Sequence, residues 1–107
     1  MADFGRALAL NPSSPEAYSA RGTAHMNLGL DAQRRGVAPD AHYEAALVDH
    51  RKALELNPRL PEGHQGLGQA HLNWGNARMA RGEDAGATFE AGLADLERAL
   101  AINPRAA

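Results

Sequence analysis

"RALALNPSSPEAY", residues 6–18, reads as the closing turns of an amphipathic helix, a stop signal and the start of another helix. The phrase returns as "KALELNPRLPEGH" at residues 52–64 and as "RALAINPRAA" at residues 98–107. Its Asn-Pro pairs, Asn11-Pro12, Asn57-Pro58 and Asn103-Pro104, stand 46 residues apart each time. A fixed period of this size marks a repeat architecture and decides the fold before any other feature. Laid without gaps over residues 59–104, residues 13–58 match at 18 of 46 positions, far more than composition alone supplies. Gly22/Gly68, His25/His71, Asn27/Asn73, Gly29/Gly75, Gly36/Gly82, Leu47/Leu93 and Asp49/Asp95 are among the matches. The chain therefore divides into two repeats, 13–58 and 59–104, with a tail at 105–107. Residues 1–12 read as the end of a preceding repeat's second helix, so the whole reads as a stretch of a longer array.

Each repeat predicts a helical hairpin. Ser13 or Ser14 caps the first helix, Pro15 suits its first turn, and Glu16 favours its positive end. Small or apolar residues then recur at Ala17, Ala20/Arg21, Ala24/His25 and Leu28, the three-and-four spacing of a one-sided helix. Gly36 supplies the left-handed residue that ends it, behind Arg34 and Arg35. Pro39 and Asp40 open a second helix carrying Tyr43, Ala46/Leu47, His50 and Ala53/Leu54, stopped at Asn57-Pro58. The second repeat follows the same plan with Gly63, Gly66, Gly68 and Gly75 inside its first helix. Interior glycines cost about 1 kcal/mol each relative to alanine. Packing against neighbouring hairpins has to offset that, and the glycines are expected to permit close approach.

Composition agrees and excludes several functions. Hydrophobic residues make up 44% and charged residues 22%, with a net charge of −2. That is a globular balance without the clustered positive charge that a nucleic-acid backbone requires. Arg34-Arg35, with Arg78 and Arg81, is the nearest thing to a basic patch and reads as a solvated turn flank. Cysteine is absent, so disulfides and thiolate metal sites are excluded. No apolar run reaches the ~20 residues of a membrane span, and no signal pattern opens the chain. A cytoplasmic protein with no membrane partner is expected. Alanine occurs 23 times against five aromatic residues, which predicts a thin, closely packed all-α core.

The same residues resemble the tetratricopeptide repeat, whose pattern is W-x2-L-G-x2-Y, then A-x3-F, then P. Here stand Tyr18-x2-Arg21-Gly22-x2-His25 and His64-x2-Leu67-Gly68-x2-His71, then Ala46-x3-His50 with Pro58 and Gly92-x3-Leu96 with Pro104. The resemblance covers nearly the whole chain. It implies a right-handed alpha-alpha solenoid of hairpins. The period departs from the family's 34 residues, and the surplus falls within 29–43 and 75–89. Elongated helices account for it better than a long loop. Long-period units with this "RGxAHxNLG" flavour are similar to repeat tails of bacterial serine/threonine kinases.

Function follows from the resemblance, since the chemistry on offer is sparse. No His or Cys spacing fits a metal, no cofactor is implied, and Glu44/Asp49 and Glu90/Asp95 read as repeated helix-face charges. Nothing assembles a nucleophile, base and orienting group, so an enzyme is not expected. His25, His71, His50 and His64 read as packing residues, and His42 as exposed. The resemblance implies a concave groove lined by the first helices, holding a peptide or partner helix. The stripe expected there is Glu16, Ser19, Thr23, Met26, Asn27 and Leu30, then Glu62, Gln65, Gln69, Leu72 and Asn73. Asn27 and Asn73 are the principal candidates, because an amide donates to and accepts from a peptide backbone at once. The second hypothesis is self-assembly through an uncapped end, either by stacking or by hairpin exchange, using Leu93, Leu96 and Leu100.

Overall fold

Ser14 begins the first helix, its Oγ accepting the Ala17 N–H at 3.1 Å, with Pro15 at the first turn. The computed structural model describes Leu8, Asn11 and residues 13–102, and among these it contains four helices and no strand. They are α1 (Pro15–Arg34), α2 (Asp40–Leu56), α3 (Pro61–Ala80) and α4 (Gly86–Ile102). Most of the expected preceding helix over 1–12, and the tail over 105–107, lie outside the described residues. Within that stretch Leu8 is helical and buried.

Both hairpin tips close identically. Gly36 and Gly82 have φ of 75° and 80°, the left-handed region that glycine enters without strain. Gly36 and Val37 donate to the Gln33 and Ala32 carbonyls, at 3.1 and 2.8 Å. One period later Gly82 and Glu83 donate to Met79 and Arg78, at 2.9 and 3.0 Å. This double closure satisfies carbonyls that a helix end otherwise leaves unpaired. The turns occupy only residues 35–39 and 81–85, so the surplus of the long period is helix.

Glycine sets how near the helices of a hairpin lie. A Cβ on Gly22 would fall 2.7 Å from the His50 ring, and one on Gly29 the same distance from Tyr43. The second hairpin repeats this with Gly68 against Leu96 at 2.7 Å and Gly75 against Phe89 at 2.8 Å. At Gly68 and Gly92 backbone meets backbone, each carbonyl oxygen 3.1 Å from the other's would-be Cβ.

The hairpins meet through α2 and α3, while α1 also touches α3; neither α1 nor α2 reaches α4. Leu54 lies over Gly63, and His50 fills the space that a Gly66 side chain would need. Above them Ala46 and Leu47 form one cluster with Leu67 and Ala70, joined by Met26, Leu54 and Trp74. At the tip the Asp40 carboxylate accepts Trp74 Nε1–H at 2.7 Å and two Arg81 N–H bonds at 2.7 and 3.0 Å. Those bonds, Arg81 first, hold Asp40 down to about 2. The joint between hairpins is thus small-residue packing below and a charged clasp above.

Two effects oppose each other at Gly66. Helix propensity favours alanine by about 1 kcal/mol, while overpacking a filled interface costs about 1–3 kcal/mol. Because the new methyl would run into the His50 ring, Gly66→Ala is expected to lower the urea midpoint. A variant more stable than the parent would mean the hairpins stand further apart than described.

Candidate binding groove

Several residues expected at a polar surface instead form the interior of each hairpin. Asp49 and Asp95 are 3% and 5% exposed, which corrects their reading as helix-face charges. Arg21 reaches Asp49 from α1 with two bonds of 2.8 Å, and His25 Nε2 stands 3.6 Å from the same carboxylate. In the second hairpin His71 Nδ1–H donates to Asp95 at 2.9 Å, and Arg98 does so at the same distance. A buried carboxylate needs such partners, since desolvation otherwise exceeds what packing returns. Glu44 and Glu90 do stay exposed. The basic turn residues are also engaged: Arg35 pairs with Asp31, Arg78 with Glu83, and Arg81 with Asp40 and Glu83.

The histidines serve packing. His64 Nε2 bonds the Pro58 carbonyl at 3.0 Å, and His42 is half-buried, less open than its sequence position implies. His50 is 1% exposed, wedged between Gly22 of α1 and Gly66 of α3. Its Nδ1 lies 3.1 Å from Ser19 Oγ, and its Nε2 is buried without a partner. Burial pushes this ring down to about 4, only partly offset by Asp49. His25 is also lowered, burial again outweighing Asp49. Among the described residues no group of three or more His, Asp or Glu is placed to hold a metal. No helix there is long and apolar enough to cross a membrane.

The expected groove stripe divides into two sets. Glu16, Thr23, Asn27, Glu62 and Gln69 are exposed, and Gln65 and Asn73 half-buried. Ser19, at 5% exposure, turns its hydroxyl to His50 while its edge still reaches the surface. Met26 and Leu72 are corrections to the stripe. Met26 packs on the joint cluster, and Leu72, one period later, lies 3.1 Å from the space a Gly92 Cβ would take. Both are half-buried, leaning on that packing with only part of the side chain open.

What remains runs along α1 and α3 on the side where they touch. One end is a recess lined by Glu16, Ser19, Ala20, Thr23, Leu60 and Glu62. The other is lined by Leu30, Gln33, Arg34, Asn73 and Asn76. Asn27 and Gln69 fall between them by helical spacing. Glu16, Asn27, Glu62, Gln69 and Asn73 make no hydrogen bond or ion pair with the described residues. The groove is acidic at the helix starts and carries Arg34 at the far end. On α4, Leu93 and Leu100 are 55% and 40% exposed, whereas Leu96 is half-buried against Gly68. No protein-family model matches the chain, and no curated protein is significantly similar to it.

His50 gives the fold an acid limb. An unfolded histidine takes its proton near pH 6.5, whereas the folded ring resists until about 4. In that window the unfolded state holds more protons, so stability is complete above it and falls as pH drops. The full gap corresponds to roughly 3 kcal/mol. Urea midpoints are expected to decline between pH 6.5 and 4. His50→Leu, which installs the residue found at position 96, should remove most of that slope. An unchanged slope in the variant would assign the dependence elsewhere.

Proposed function

We propose that this chain is a protein-interaction scaffold, two tetratricopeptide-like hairpins of a right-handed solenoid from a longer array. Its task is binding, without catalysis or cofactor. The observation that carries the reading is the row of unengaged side chains along α1 and α3. The clusters Arg21–Asp49, His71–Asp95 and Asp40–Trp74–Arg81 are, by contrast, consumed by the fold. The groove row has amides at its centre and recesses at both ends. Amides about three turns from carboxylates suit an extended peptide, whose backbone meets Asn27 and Asn73 while a basic side chain meets Glu16 and Glu62. The likeness to repeat tails of bacterial kinases fits a role in recruiting a partner to a larger chain.

Selection from a random 12-residue peptide library on the immobilised protein tests this. Enriched peptides are expected to carry Lys or Arg toward one end. Their affinity should fall about tenfold or more when Asn27 and Asn73 are both replaced by alanine, on the scale of about 1 kcal/mol per lost hydrogen bond. Peptides bound equally well by that variant would place recognition on another face.

A further inference from the structure

His50 belongs to α2, yet its ring is enclosed by both neighbouring helices. Gly22 of α1 and Gly66 of α3 face it, and a side chain at either glycine would strike the imidazole. Nδ1 is bonded to Ser19 of α1, whereas Nε2 is buried without a partner among the described residues. A second ring proton would therefore leave a charged N–H unbonded at a closed joint, which costs more than leaving a neutral one. The surroundings do little to offset that cost. On α2 the adjacent Asp49 favours the charged ring, but its oxygens face Arg21 and His25 of α1. On α3 the ring meets Gly66, with Leu67 and Ala70 completing the joint. Of the titratable groups near the start of α3, Glu62 is exposed and His64 is bonded to the Pro58 carbonyl. No contact joins α4 to α2.

We propose that protonation of His50 parts the hairpins at the α2–α3 joint while each hairpin stays folded, with residues 57–60 as the hinge and the Asp40–Trp74–Arg81 clasp as the latch. Each hairpin keeps its own buried pairs, Arg21–Asp49 in the first and His71–Asp95 in the second, and its own glycine contacts. Across the joint the packing is mainly alanine and leucine, and Asp40 accepts the clasp's hydrogen bonds. Because α2 ends at Leu56 and α3 starts at Pro61, the two helices are tethered at that end and free at the tips. Swinging α3 away uncovers the imidazolium to water while its bond to Ser19 persists. The latch resists throughout, because Asp40 keeps its charge well below the pH at which His50 takes its proton. The groove walls α1 and α3 belong to different hairpins and separate with the joint. None of this depends on what the groove binds.

Thiol labelling provides the test, since the chain has no cysteine of its own. Ala70→Cys places a thiol in the joint and Ala99→Cys places one on α4 in the second hairpin, both at buried positions. Labelling with 4,4′-dithiodipyridine, divided by the rate for the same variant unfolded in urea at each pH, reads how often each site opens. The open ring titrates near 6.5 and the enclosed one near 4. Opening at position 70 is expected to rise on the order of 100-fold as pH falls across that window, and to level off below it. Opening at position 99 should lag well behind. His50→Leu and His50→Gln, neutral throughout, should each flatten the rise at position 70. Asp40→Asn should increase opening there about tenfold at every pH while leaving the rise in place. Two sites that open together, a rate at position 70 indifferent to pH, a rise that survives in either His50 variant, or an Asp40→Asn protein no more open than the parent would each overturn the proposal.

Discussion

Helices in this chain approach one another where one of them has no side chain to give. Gly22 and Gly29 on α1, and Gly68 and Gly75 on α3, each receive a large residue from the opposing helix. The repeat preserves the arrangement while changing the chemistry of the receiver: His50 becomes Leu96 and Tyr43 becomes Phe89. What is kept is room. A helix bearing four interior glycines sacrifices several kcal/mol of intrinsic helix preference, so α3 is helical only because α2 and α4 flank it. The hairpins are for that reason interdependent.

The carboxylates buried by that close approach are matched within each hairpin. Asp49 and Asp95 occupy the same seat and share one equivalent partner, His25 and His71, while the arginine comes from a different position in each hairpin, Arg21 on α1 in the first and Arg98 on α4 in the second. Three imidazole nitrogens are buried without a partner among the described residues, His25 Nδ1, His50 Nε2 and His64 Nδ1, and of these His50 stands at the joint. A leucine there would pack more simply, as Leu96 does. The imidazole instead links α1, through Ser19, to the surface that α3 covers, so the first hairpin and the joint respond together to protonation.

The repeat, the hairpin plan and the glycine turns were legible because each rests on local chemistry at fixed spacing. Gly36 and Gly82 follow arginines and precede a break in the apolar pattern, so their left-handed backbone could be read directly. The groove stripe was less legible. Neighbouring helical positions differ by about 100°, and a stripe drawn from one helix alone includes Met26 and Leu72, which the joint and the second hairpin claim. Asp49 and Asp95 were misread because charge ordinarily marks a solvated face. A signal was present even so: His25 and His71 precede Asp49 and Asp95 by the same 24 residues. Two repeats keeping an acid and a histidine at one separation points to contact between them. Ser19 offered no such signal, because its counterpart is Gln65 and its partner His50 occurs in one repeat alone.

The chain's single tryptophan is seated on the seam between the hairpins, its indole bonded to Asp40 and its ring against Leu47 and its neighbours. A seam that parted would free that ring to water while leaving both helical pairs wound. Fluorescence and circular dichroism therefore observe different events in this molecule, and a gap between their transitions would time the separation of the units against their melting.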